Sequence, residues 1–231
     1  YFSVLWLAPT FVAIAARRIV GGMGTSIHTY PYTVAISRSK RHWCGGSIID
    51  EQWILTAGHC MEPAGSSYHS KGGYQAKVNK VFFPPGYVPG TADFDYSLIR
   101  LDRPLPIGRN IAVLNLPSKD YVIQTDDMLV ETGQGSIPSR LRFVPVPVIT
   151  TSSCQTLYRF YITPRMICAG YPSGKKDACN HDSGGPAVKD GVLLGIVSFG
   201  GKRCGDPDSP GVYARVSHIT NWKSQNSNDD N

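Results

Sequence analysis

The chain carries no CxxC pair, no HExxH, no N-x-[ST] acceptor, no block of like charge and no internal repeat. Without cysteine pairs at metal-ligand spacing or an HExxH helix, a zinc centre has no framework. Without N-x-[ST], N-linked sugar has no attachment point. Carboxylates are also scarce where a calcium loop would need them: residues 61 to 80 contain only Glu62, too few hard oxygen ligands for that ion. No metal and no cofactor is therefore expected. The apolar stretch YFSVLWLAPTFVAIAA at residues 1–16 is broken by Pro9 and falls short of the roughly 20 apolar residues that span a bilayer. The formal net charge is +6, or +4 without residues 1–18, whose only charges are Arg17 and Arg18. That excess is small and scattered, so neither nucleic acid nor a membrane surface is an expected partner.

What is present is a chain of 231 residues, 42% of them hydrophobic, enough for one large all-β unit or two small domains with a packed core. Short β-branched segments bounded by Gly or Pro read as strands: Tyr32 to Ser39, Ser47 to Leu55, Tyr96 to Leu101, Met128 to Glu131, Leu141 to Ile149, Arg165 to Ala169, Ala187 to Phe199 with a turn at Lys189-Asp190-Gly191, and Gly211 to Val216. Met61 to Asp93 reads mostly as loop, and Asp102 to Asp127 as the link between two halves. Residues 218 to 225 could form a short terminal helix. Residues 1–16 end in small residues, as the hydrophobic core and cleavage site of a secretory signal do. The missing initiator methionine and basic leader suggest a start inside a longer precursor. Six cysteines, at 44, 60, 154, 168, 179 and 204, leave 15 pairings open.

Residues 177 to 186 read DACNHDSGGP and place one small hydroxyl, Ser183, between an acid and two glycines. A serine is a weak nucleophile at neutral pH, so chemistry there needs a base to take its proton and donors for the developing oxyanion. Gly184 and Gly185 allow tight positive-φ backbone that turns amide hydrogens towards a bound carbonyl. Alone, SGGP reads more readily as a plain turn. It is accompanied by RIVGG at Arg18 to Gly22, TAGHC at Thr56 to Cys60 and DYSL at Asp95 to Leu98.

These four ordered motifs resemble those of the chymotrypsin-like serine proteases of the trypsin family, over essentially the whole chain from Ile19 to about Trp222. The resemblance implies an all-β fold of two six-stranded-type antiparallel β-barrels, the first about 19–118 and the second about 119–231, with a short C-terminal helix. The interval between His59 and Asp95 is shorter than the family's usual one, so a strand of the first barrel could be trimmed. The resemblance also implies the pairings Cys44 with Cys60, Cys154 with Cys168 and Cys179 with Cys204. His59 becomes the general base, Asp95 the acid that orients it, Ser183 the nucleophile, and the amides of His181 and Ser183 the oxyanion donors. Asp93 competes with Asp95, but only Asp95 directly precedes the apolar, small, Leu pattern. His42 reads as a structural histidine. Residues 17–18 form a very short activation segment. Cleavage after Arg18 would free Ile19 to pair with Asp182, a buried acid costly without a partner, so the fold should be incomplete before cleavage.

By the same resemblance, Asp177 matches the charge at the bottom of the trypsin pocket, whose walls would be Ser198, Phe199, Gly200 and Gly211. Ala178 adds no hydroxyl beside that acid, which tilts preference towards arginine, whose guanidinium pairs bidentately. Two departures stand out. His181 replaces the family's glycine, and a non-glycine residue at positive φ costs about 1 to 2 kcal/mol. Gln134 and Phe199 stand where tryptophans are usual. The reading is a secreted, extracellular, monomeric digestive zymogen that becomes a trypsin-like endopeptidase acting on proteins or peptides and held in check by proteinaceous inhibitors. Its rival is a catalytically impaired homologue acting as a binding or regulatory protein. A chymotrypsin-like preference is a third reading, against which Asp177 argues.

Overall fold

The computed structural model describes residues 19–39, 41–62, 74–133, 141–179, 181–201, 203–220 and 222. The signal-like segment, Arg18, Gln134 and residues 221 and 223–225 of the expected terminal helix lie outside the described residues; residues 216–218 form a single 3-10 turn, and Thr220 and Trp222 are helical.

The first sheet is antiparallel and holds β2 (Thr33–Arg38), β3 (Arg41–Asp50), β4 (Trp53–Thr56), β5 (Val78–Phe82) and β6 (Ser97–Leu101), in the order β2-β3-β4-β6-β5. Among the described residues this sheet is a strand short of six and does not close; residues 63–73 lie outside them. The other sheet holds β1 (Met23–Gly24), β7 (Met128–Gly133), β8 (Arg142–Ile149), β9 (Met166–Ala169), β10 (Pro186–Lys189), β11 (Val192–Phe199) and β12 (Gly211–Arg215). Its order is β1-β8-β7-β10-β11-β12-β9, and a further pairing of β8 with β9 closes six strands into a barrel. An α-helix, α1 (Thr151–Leu157), starts where the Thr150 hydroxyl accepts the Ser153 N–H at 3.1 Å, a side-chain cap.

Local chemistry sets several of these boundaries. Asp190 and Gly191 both take positive φ, 49° and 75°, as the tight turn of the β10–β11 hairpin requires. The stretch expected as one strand from Ser47 to Leu55 is two, because the polar Glu51-Gln52 turns the chain between β3 and β4. Within the stretch expected to be loop, β5 is a strand: its register shifts between Val78 and Lys80, which destroys the alternation that marks a strand. The three disulfides join Cys44 to Cys60, Cys154 to Cys168 and Cys179 to Cys204, the pairing the resemblance implies. Each closes a loop whose length corresponds to a stabilisation of about 3 kcal/mol.

The core is continuous across the two sheets. Ile36, Leu55, Leu98 and Ile99 from the first pack in one buried cluster with Leu193, Ile196 and Val216 from the second, each large side chain contributing about 1.5–3 kcal/mol on burial. That shared core fixes one sheet against the other. Side chains at the seam can therefore hold fixed relative positions.

Candidate active site at the seam of the two sheets

His59 begins a single 3-10 turn directly after β4, and Asp95 lies two residues before β6. Since β4 and β6 are hydrogen-bonded neighbours, with Thr56 opposite Ser97, the sheet itself brings the two residues together. The His59 N–H donates to Asp95 Oδ1 and its ring Nδ1 lies 2.8 Å from Asp95 Oδ2. The acid is buried and the imidazole is partly exposed, its side chain 39% accessible. Burial alone would lower the His59 pKa; the hydrogen bond and charge of Asp95, with Glu62 adding, override it and raise the pKa above its ordinary 6.5. Burial pushes Asp95 up, but its bonds to His59 and Ser198 carry it below the usual carboxylate value.

Ser183 comes from the other sheet's side of the seam. Its backbone is held from both directions: the Gly45 N–H of β3 donates to the Ser183 carbonyl at 2.8 Å, and the Gly184 N–H donates to the Val197 carbonyl of β11 at 2.7 Å. A Cβ on Gly45 would sit 2.8 Å from the Gly185 Cα, so the two chains approach as only glycines allow. Gly184 has φ of +81°, and a Cβ there would meet the Thr56 hydroxyl at 2.1 Å. One disulfide sulfur, Sγ of Cys60, lies 3.9 Å from His59 Nε2 and 3.5 Å from the Ser183 carbonyl oxygen. The base and the serine backbone thus share a neighbour.

His181 has φ of +75°, the conformation for which glycine is suited. Its carbonyl accepts a hydrogen bond from Nε2 of His42 at 2.9 Å. His42 is half-buried, and burial holds its pKa below 6.5 despite that bond, with the neighbouring His181 adding to the depression. Among the described residues, the N–H groups of His181 and Ser183 meet no protein acceptor.

Asp177 is buried, and its oxygens face glycine on two sides: Cβ atoms built on Gly200 and Gly211 would lie 3.9 and 3.2 Å from them. The Gly205 N–H donates to its Oδ2 at 2.9 Å. Burial raises its pKa to about 6, against which the Gly205 and Ala178 N–H groups work. Phe199 packs edge-on against Tyr158 and Phe160. Ser198, expected as pocket wall, also bonds Asp95.

Ile19 is buried, and Val20 pairs with Asp177 in a short antiparallel bridge. Asp182 is buried too, with its Oδ2 accepting the Cys179 N–H at 3.0 Å. Asp93 is drawn away from His59 into an ion pair with Arg165. Sequence reasoning missed one acid, Glu131 of β7, which is buried and accepts the Tyr213 hydroxyl. The signal was there, since Glu131 shares the inward face of its strand with Leu129.

Cys44, His59 and Cys60 gather within 4.8 Å, but both sulfurs are spent in a disulfide and offer no thiolate to a metal. A concavity of about 440 Å³ lined by Lys119, Tyr121, Arg215 and His218 contains none of the residues described above. Among the described residues, no helix is long and apolar enough to cross a membrane.

A family model described as Trypsin matches residues 19–223. The chain is 37% identical to Trypsin 5G1 of Aedes aegypti over 225 residues, 90% of this chain and 84% of that protein. It is 38% identical to Trypsin beta of Drosophila erecta over 222 residues, covering 89% and 87%. With the Vitellin-degrading protease of Bombyx mori it shares 34% identity over 244 aligned positions, covering 97% and 92%.

Proposed function

The chain belongs to the trypsin family of serine endopeptidases, and on that premise we propose that it cleaves proteins and peptides after Arg or Lys through an acyl-enzyme on Ser183. His59 takes the Ser183 hydroxyl proton as the oxygen attacks the scissile carbonyl, then delivers it to the leaving amine. Asp95 fixes the ring tautomer, so that Nε2 is free to accept, and stabilises the imidazolium. The N–H groups of His181 and Ser183 receive the oxyanion. Water repeats the sequence to release the acid product.

The specificity reading rests on one observation: Asp177 is a buried carboxylate opened towards two glycines, Gly200 and Gly211. A missing side chain on each leaves a slot for a long P1 residue, and a buried negative charge at its end selects a cation. Ala178 and the aromatic Phe199 complete the walls. The domain works as a monomer, and three disulfides support secretion through an oxidising compartment. Cleavage after Arg18 activates it, the new Ile19 ammonium pairing with Asp182. Proteinaceous inhibitors and a digestive role fit the same reading.

Paired esters of Arg, Lys and Phe test the specificity. The activated protein hydrolyses the Arg ester fastest, and Asp177→Ser lowers kcat/KM on it by about 10²–10³, as expected for stripping one partner from a buried charge pair. Preference for Phe, or an Asp177→Ser enzyme with unchanged Arg preference, would defeat the assignment.

A further inference from the structure

Glu131 has no part in the mechanism above, yet among the described residues it is, with Asp182, the acid most completely shut away from water. It is 1% exposed and sits on β7 between Val144 of β8 and Ala187 of β10. Tyr213 of β12 donates its hydroxyl to Oε1, while Oε2 has no partner of good geometry among the described residues. The Tyr213 hydroxyl touches the space beside the Gly211 Cα, the same Cα that faces Asp177 Oδ1. The Ala178 N–H lies close enough to both acids to favour the ionised form of each, which places Glu131 and Asp177 around one amide.

The titratable groups that face Glu131 are Tyr213, Asp177 and Asp182, with Tyr158 behind Tyr213; in the activated enzyme the Ile19 ammonium pairs with Asp182 and leaves Asp177 as the unpaired charge. Burial, and then the charges of Asp177 and Asp182, oppose its ionisation. Two neighbouring carboxyls in a poorly solvated place do not ionise together. The more exposed Asp177 carries the charge and Glu131 keeps the proton.

We propose that Glu131 is a second acid of the specificity pocket, holding a proton while the pocket is empty and releasing it to solvent when a cationic side chain docks against Asp177. The docked cation offsets the Asp177 charge that, on top of burial, holds Glu131 neutral, so its O–H bond ionises and the freed carboxylate adds to the attraction. Recognition of Arg or Lys then becomes proton-linked in a range where Asp177 is already ionised. This inference rests on the reading of Asp177 as the specificity charge.

Benzamidine, a small cation, is the probe. Calorimetric titration of the activated enzyme at pH 8 in two buffers of different ionisation enthalpy counts the protons released. The expected result is release of a substantial fraction of one proton by the wild type and little by Glu131→Gln, which keeps the acceptor for Tyr213 but has no acidic proton. In the wild type, affinity for benzamidine accordingly goes on tightening with pH above the range in which Asp177 ionises, by up to about tenfold per pH unit for one linked proton, and stays flat there in Glu131→Gln. Tyr213→Phe, which removes the donor that favours the ionised form, shifts the release to higher pH. Equal proton counts and equal pH slopes in wild type and Glu131→Gln overturn the proposal while leaving Asp177 intact. Failure of the wild type to bind benzamidine at any pH overturns the Asp177 reading and this proposal with it.

Discussion

Ser198 donates its hydroxyl to Oδ2 of Asp95, the same carboxylate oxygen that faces Nδ1 of His59. A carboxylate held by two donors from different sheets, with Oδ1 occupied by the His59 N–H, cannot rotate without breaking all three contacts. The orientation of the base is therefore set by the seam as a whole.

Asp95→Asn keeps the shape but presents an amide to Nδ1, favouring the wrong tautomer. It lowers kcat by about 10⁴. Ser198→Ala removes a single charge-assisted bond and costs roughly tenfold, from about 1.5 kcal/mol. Steady-state kinetics on one Arg ester checks both; a larger loss in Ser198→Ala than in Asp95→Asn would reverse the assigned roles.

On the proposed mechanism, activity depends on neutral His59, whose pKa is raised. The rate therefore climbs as pH rises through a value above 6.5. The stabilising effect of the His59–Asp95 pair runs the other way: it is fully present below the unfolded histidine pKa and is lost as pH rises through the folded one. Paired pH profiles of kcat/KM and of denaturant midpoints show these opposite slopes. A rate already at its plateau at pH 5.5 would remove His59 from its role.

Asp177, with its pKa raised to about 6, must be ionised to hold a cation. Benzamidine affinity falls below that pH by about tenfold per pH unit. An Asp177→Asn enzyme binds weakly throughout and shows no such fall.

His181 holds a φ of +75° at a strain of about 1–2 kcal/mol. His181→Gly relieves it and raises Tm by about 2–4 °C for each kcal/mol recovered, with turnover kept. A lower Tm would mean that packing around the imidazole, which lies beside the His42 ring, outweighs the strain.

Much of this was legible in the sequence because the chemistry is concentrated in short motifs. His59 is marked by TAGHC, Asp95 by its strand, Ser183 by its glycines, and the cysteine pairs follow from the same resemblance. The hairpin at Asp190-Gly191 was readable because only certain residues accept two positive φ values in succession. What escaped was whatever breaks periodicity or depends on distant neighbours. The bulge hid β5, and the glycines at 45 and 46 disguised the first half of β3. Glu131 meets Tyr213 only once the barrel closes, and α1, with TSSCQTL, has no apolar stripe to betray it.

The central claim is that Ser183 is a nucleophile activated by His59. After cleavage behind Arg18, the protein is exposed to a fluorophosphonate and the labelled peptide is identified by mass spectrometry. The account predicts one adduct, on Ser183, absent from Ser183→Ala and strongly slowed in His59→Ala. An unlabelled wild type, or labelling that persists in Ser183→Ala, would contradict it.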